Sequence, residues 1–211
     1  MKSFRHWTPR YIKSRLREIY YRRTHPGFPW LTPESCKILS GFLNKSHVGL
    51  EFGSGRSTLW FAKRVKYLTS VEHNKAWYEK VRKALANNGQ NNVDYYFIER
   101  AREDEEAGDS AYIKIIDRFE TDSIDFILLD GLYRDICAEK VLRVIRPGGL
   151  LIIDNINWFL PSNSSSPRSR TIKQGPDGEI WRQVSRSIAE WRKIWTSSGV
   201  SDTALFFKPG K

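Results

Sequence analysis

Val48-Gly49-Leu50-Glu51-Phe52-Gly53-Ser54-Gly55-Arg56-Ser57-Thr58 decides the fold of this chain. A short apolar run ends in a glycine turn and a helix-compatible segment follows, so the stretch reads as strand, turn and helix. Two glycines at alternate positions let the backbone fold tightly and leave bare main chain for a ligand to approach. Nineteen residues after Gly53 comes Glu72, the last residue of a second strand-like run, Tyr67-Leu68-Thr69-Ser70-Val71-Glu72. A carboxylate at about that offset accepts two hydrogen bonds from the vicinal hydroxyls of a ribose. The pair predicts a nucleoside site; the bland alternative is an ordinary strand-turn-helix with a chance Gly-Ser-Gly.

Outward from this turn, β-branched and aromatic runs predict further strands at Val93–Glu99, Ile124–Asp130 and Gly149–Asp154. Helices are predicted over Ser57–Val65, Asn74–Asn87 and Tyr133–Ile145, the last stopped by Arg146-Pro147-Gly148-Gly149. Strands alternating with helices of this length imply an α/β protein with a doubly wound, mostly parallel sheet. Arg192–Ser197 and Thr203–Lys208 read as two final strands, joined by a turn that closes an antiparallel hairpin. Ligands of such sheets bind beyond the carboxyl ends of the strands. Those ends carry Glu51, Glu72-His73, Glu99, Asp130-Gly131-Leu132-Tyr133-Arg134 and Asp154-Asn155. Glu99 is a weak candidate for an adenine contact, in competition with Asp94 and Asp104.

The position three residues after Gly55 is Thr58, where a dinucleotide fingerprint requires a third glycine. Glu51, just before the turn, repels a pyrophosphate and attracts a cationic ligand. The acid-x-Gly-x-Gly pattern resembles motif I of the class I S-adenosylmethionine-dependent methyltransferases, whose cofactor carries a sulfonium and an ammonium group. The resemblance implies a Rossmann-like fold, with Glu51, Gly53, Ser54, Gly55, Ser57 and Thr58 around the methionine end of S-adenosylmethionine and Glu72 on its ribose. His73 and Asp130 join this cofactor set, His73 near the adenine. A looser group of bacterial methyltransferases of glycan and secondary metabolism is similar over roughly residues 26–209, within a methyltransferase domain expected over residues 26–211. It shares Pro29-Trp30-Leu31-Thr32-Pro33, Ser70-Val71-Glu72-His73, Asp130-Gly131-Leu132-Tyr133-Arg134 and Trp195-Thr196-Ser197-Ser198-Gly199-Val200.

Asp130, Asp154 and Asn155 offer oxygen donors only, which suits Mg²⁺. Their placement resembles the metal triad of the catechol-type O-methyltransferases and implies that Asp130 and Asp154 take part in catalysis, with Arg134 beside them. Arg134 lies four residues after Asp130 and is a departure from that family. As a fixed guanidinium it either clamps an anionic substrate or pairs with Asp130, and pairing opposes a metal there. Tyr133 is a candidate cover for the ligand and equally a core residue.

At 211 residues the chain fits one domain. No apolar run reaches the ~20 residues of a membrane span, and no cleavable leader is evident. Cys36 and Cys137 are isolated, so a disulfide framework or zinc site is not expected and a cytoplasmic location is. The net charge of +11 is concentrated in residues 1–25, which carry eight Lys or Arg and one acid, Glu18. Trp7, Tyr11, Ile12, Leu16, Ile19 and Tyr20 recur among them at helical spacing, predicting a basic amphipathic helix. Such a helix docks on its own domain, lies on an anionic membrane or lipid head groups, or, less favoured, follows nucleic acid. Asn157 to Gly178 is polar and rich in Ser, Pro and Gly, and predicts a mobile lid over residues 155–179 in which Arg168, Arg170 or Lys173 meets an anionic acceptor. The function expected is O-methylation of a small-molecule, sugar or lipid-linked acceptor. An RNA methyltransferase, a non-catalytic nucleoside-binding protein and, remotely, an aminopropyltransferase are the alternatives.

Overall fold

A computed structural model describes residues 7–101 and 106–210. Seven strands, β1 (Val48–Phe52), β2 (Tyr67–Glu72), β3 (Val93–Phe97), β4 (Ile124–Leu129), β5 (Ile145–Asp154), β6 (Arg192–Ser197) and β7 (Asp202–Phe207), form one sheet in the order β3-β2-β1-β4-β5-β7-β6. The first five are parallel, while β7 runs antiparallel to both β5 and β6. The chain winds outward from β1 through β2 to β3 and then returns to β4 on the other side. This reversal opens a crevice at the carboxyl ends of β1 and β4, where ligands of open sheets bind.

Alternation along the central strands builds two cores. In β4, Ile127 and Leu129 face one apolar cluster and Phe126 and Leu128 the other; in β5, Leu151 and Ile153 alternate in the same way with Leu150 and Ile152. Each such fully buried side chain contributes about 1.5–3 kcal/mol relative to exposure. One face is covered by α2 (Pro33–Phe42), through Cys36 and Leu39, and α3 (Arg56–Ala62), through Trp60 and Phe61. The other is covered by α5 (Ala111–Lys114), α6 (Arg134–Val141) and α7 (Gly178–Ser187), through Tyr112, Cys137, Val141, Trp181 and Val184. The amphipathic α4 (Lys75–Asn87) buries Val81 and Leu85.

The predicted strands are present, with one boundary moved substantially. β5 begins at Ile145 rather than Gly149, because Ile145 pairs with Ile124 before a register shift carries the ladder to Phe126 and Leu150. The predicted helix 133–145 therefore ends at Val141.

The N-terminal helix α1 spans Pro9–Thr24 and is capped by Thr8, whose hydroxyl accepts from Tyr11 N at 3.2 Å. Its docked side is polar. Glu18 is buried between Arg15 and Arg22, and Ser14 sits so close to the β6–β7 turn that a Cβ at Gly199 would lie 2.5 Å from its Oγ. Arg22 stacks 5.0 Å over Trp30. Ile12, Leu16, Ile19 and Tyr20 point away from the domain and are exposed. Where the sequence suggests docking through an apolar stripe, the helix instead turns Ser14, Glu18 and Tyr21 inward, with the Glu18 ion pairs lying within the helix itself and Tyr21 edge-on to Phe28, and leaves that stripe outward.

The segment expected to be a mobile lid is hydrogen-bonded to itself and to β7. Asn157 Nδ2 donates to Pro167 O and Ser169 Oγ, Ser166 Oγ donates to Asp202 at 2.6 Å, and Arg170 donates to Gly175 O and Asp177. A lid motion there has to break these bonds.

Candidate active site

The glycine turn is built from below. Glu51, fully buried on β1, accepts from Thr58 Oγ1 at 2.6 Å and Ser70 Oγ at 2.5 Å, and Thr58 Oγ1 in turn accepts from Gly55 N at 2.9 Å. The second carboxylate oxygen, Oε1, is buried without a partner among the described residues. Burial pushes the Glu51 carboxyl up to about 7 against the hydroxyl hydrogen bonds that lower it.

Gly53 has φ +89°, and its main chain lies against the β4 turn, so that a Cβ there would be 2.6 Å from Gly131 N. Gly55 differs: its backbone is extended, and a Cβ would meet Trp77 ring atoms at 3.7 and 3.8 Å and Ser57 Oγ at 4.0 Å. Its main chain borders a cleft of about 170 Å³ lined by Trp30, Ser54, Gly55, Arg56, Ser57, Trp77 and Asp130.

Glu72 closes the far side of the turn. Its Oε2 accepts from Ser54 N at 3.0 Å and Ser54 Oγ at 2.9 Å; its Oε1 accepts from His73 N and Asn74 N at 2.9 and 2.8 Å. Ser54 Oγ also meets Tyr95 Oη at 2.6 Å, and Trp77 Nε1 donates to Ser54 O at 2.7 Å. His73 is half-buried, its Nδ1 3.2 Å from Glu72 Oε1. Glu99 is exposed, whereas Asp94 accepts from Tyr67 Oη at the opposite end of β3, away from the cleft. Asp104 lies outside the described residues.

Asp130, Asp154 and Asn155 do meet at neighbouring strand ends, with the Arg134 guanidinium among them. Its Nη2 donates to Asp130 Oδ1 at 2.7 Å and Asp130 O at 2.8 Å; its Nη1 donates to Asp154 O at 2.6 Å and Asn155 Oδ1 at 3.2 Å; its Nε donates to Gly131 O at 3.1 Å. All five N–H donors are committed, leaving none for a substrate anion. Asp154 Oδ1 is turned to Thr203 Oγ1 at 2.7 Å, and burial, then the nearby Asp130, raises its carboxyl to about 7. Burial likewise raises Asp130, opposed by Arg134. The donor set therefore does not fit a divalent ion: a permanent cation already bridges two of its three members. No cluster of three or more His, Cys, Asp or Glu suited to a metal exists among the described residues.

The guanidinium also stabilises unusual backbone. Tyr133 and Asn155, on either side of it, both have left-handed φ, 48° and 51°. Tyr133 Oη accepts from Ala101 N at 3.1 Å, which fixes its ring as a structural element. Trp30, Trp77 and Arg56 also line the cleft, three residues that the sequence pattern does not mark as cofactor contacts. Arg56 sits inside the glycine motif, where its charge was the available signal. Cys36 and Cys137 are free and buried, and burial raises both thiols, Cys36 to about 12.

Residues 50–156 match the model of a methyltransferase domain family, just over half the chain and the stretch from β1 to the turn after β5. No curated protein matches in sequence. Among solved structures, a Streptococcus mutans protein in complex with SAH is similar at 12% identity and TM-score 0.54, over 83% of this chain and 96% of that one. An rRNA methylase from Streptococcus thermophilus aligns at 12% identity and TM-score 0.55, over 83% and 95%. A SAM-dependent methyltransferase from Aquifex aeolicus aligns at 14% identity and TM-score 0.52, over 93% and 97%. The chain belongs to the methyltransferase domain family and has the Rossmann-like fold of the class I S-adenosylmethionine-dependent methyltransferases.

Proposed function

We propose that the chain methylates an oxygen of a small-molecule, sugar or lipid-linked acceptor, and that α1 brings it to an anionic membrane surface. When bound, S-adenosylmethionine supplies a methyl group on a sulfonium sulfur. Glu72 is the ribose acceptor, a ribose hydroxyl replacing the Ser54 Oγ donor, which has Tyr95 Oη as a second partner; Gly55 and Ser57 border the cofactor chain, and Glu51 places negative potential beneath the turn for its cationic end. Asp130 is the carboxylate lining the cleft and takes the proton that the acceptor hydroxyl loses. Arg134 fixes Asp130 and joins the β4 and β5 ends as a positioning residue. Positioning of this kind is the main contribution an enzyme makes to an in-line displacement.

The observation that carries the choice of acceptor is the outward ridge of α1. Ile12, Leu16, Ile19 and Tyr20 are exposed between basic residues, and the only acid of the helix is buried. A phosphate backbone has no use for such a ridge, while a lipid surface does. The helix lies over the carboxyl edge of the sheet, touching the β6–β7 turn and Trp30, so the cleft shares its side. No helix among the described residues is long and apolar enough to cross a membrane.

The test is incubation with methyl-labelled S-adenosylmethionine and separate lipid, glycan, small-molecule and RNA fractions. Label in an O-methyl group of one of the first three supports the reading. Label in RNA, with binding that falls steeply as salt rises, replaces it with the RNA alternative.

A further inference from the structure

A second cavity is larger than the cleft at the glycine turn. It holds about 620 Å³ and lies between α3, the end of α4 and the segment that follows α1. Phe28, Leu59 and Trp60 give it apolar walls, while Arg56, Lys63 and Arg64 give it three cations. No acidic side chain lines it among the described residues. Arg64 stacks 3.9 Å over the Trp60 ring, and Lys63 Nζ bonds Asn88 Oδ1 at 3.2 Å.

Arg56 and Arg64 are half-buried and Lys63 is exposed, so the lining carries three positive charges and, among the described residues, no acidic side chain, which favours an anionic ligand. The volume suits a ligand of head-group size. Ile12, Leu16, Tyr20 and Thr24 follow one another at four-residue spacing, the ridge of an α-helix, and Thr24 is part of the cavity lining. The exposed apolar ridge thus leads to the cavity's rim.

We propose that this cavity is a head-group site for an anionic lipid. The phosphate is held by Arg56, Lys63 and Arg64 over the aromatic floor, and the apolar chains run along Tyr20, Leu16 and Ile12. The inference rests on the reading of α1 as an interfacial helix, and it adds a saturable, head-group-selective site to what would otherwise be diffuse adsorption.

The experiment uses the full chain in two arms. In the first, dihexanoyl phosphatidylglycerol below its micelle concentration is titrated by calorimetry, beside dihexanoyl phosphatidylcholine and inorganic phosphate. In the second, sedimentation with phosphatidylcholine vesicles, with and without phosphatidylglycerol, measures membrane binding. Lys63→Glu, an exposed change on the cavity lining, is compared with Leu16→Glu on the ridge, both checked for folding by circular dichroism. Saturable binding of the short anionic lipid, weakened about tenfold by Lys63→Glu, is the expected result. The proposal is overturned if the short lipid does not saturate, if Lys63→Glu leaves it unchanged, or if inorganic phosphate binds as tightly. Vesicle binding lost in Leu16→Glu but unchanged in Lys63→Glu also overturns the cavity site while sparing the helix; vesicle binding unchanged in Leu16→Glu removes the helix reading itself.

Discussion

Arg134 Nη2 lies 2.7 Å from Asp130 Oδ1, and the same guanidinium reaches Asn155 Oδ1 at 3.2 Å. One side chain thus bridges the two strand ends that bear the oxygen donors, taking the place of the metal that the triad would otherwise call for. A fixed cation needs no ion uptake and holds Asp130 beside the cleft with its charge partly compensated.

Chelation is therefore expected to leave this protein unaffected. Cofactor binding and methyl transfer are expected to be the same with EDTA as with added Mg²⁺, and a tenfold dependence on Mg²⁺ would refute the assignment. Arg134→Lys, which keeps the charge and loses the fork, should destabilise the fold by about 2 kcal/mol, since several buried acceptors lose their partner. A urea titration measures it, and an unchanged midpoint would mean that the clip is dispensable.

Glu51 makes stability and cofactor choice depend on pH. Its carboxyl is raised from 4.5 to about 7 by burial. The folded state holds the proton more tightly than the unfolded, so the contribution is full below 4.5 and is lost as pH rises through about 7. Melting curves of Glu51→Gln should lack this decline. Ionisation over the same window should favour the sulfonium of S-adenosylmethionine over the neutral S-adenosylhomocysteine, so their affinity ratio rises with pH in wild type and stays flat in the variant. A parallel rise in both proteins would place the titration elsewhere.

What the sequence made legible was what local pattern encodes. Val48–Phe52, Tyr67–Glu72 and Arg192–Ser197 coincide with observed strands, because β-branched and aromatic runs bounded by turn signals carry their own limits. α2 and α7 lie outside the predicted helices: α2 falls in the segment between the basic helix and the first strand, and α7 begins at Gly178, inside the polar stretch read as a lid. The Asp130, Asp154 and Asn155 cluster was legible as donors at strand ends, yet the number of acceptors that Arg134 engages depends on how far β5 stands from β4. The outward side of α1 was hidden for a similar reason. Periodicity reveals two faces, and which one docks depends on the surface it meets, Gly199 against Ser14, Phe28 against Tyr21 and Trp30 under Arg22.

Glu72→Gln separates charge from shape at the ribose position. The carboxylate accepts four hydrogen bonds, from Ser54 N, Ser54 Oγ, His73 N and Asn74 N, and an amide keeps the outline while losing acceptor capacity and charge. Calorimetry should show S-adenosylhomocysteine affinity reduced about tenfold or more, consistent with the ~1.5–3 kcal/mol of a charged hydrogen bond. Equal affinity in the variant would move the ribose away from Glu72.

The two glycines of the turn should fail in different ways. At Gly53 an alanine Cβ would stand 2.6 Å from Gly131 N and 2.7 Å from Asp130 C, on a backbone with φ +89°. Neither neighbour is a flexible side-chain end, so Gly53→Ala should cost more than about 2 kcal/mol of stability. At Gly55 the backbone is extended and the new methyl would touch Trp77 ring atoms at 3.7 and 3.8 Å, ordinary van der Waals contact. Gly55→Ala should therefore hold stability within about 0.5 kcal/mol while its methyl intrudes on the cleft and weakens cofactor binding. Chemical denaturation and cofactor titration of both variants distinguish packing from access. Equal stability losses at the two positions would show that the turn uses both glycines for its own folding and neither for a ligand.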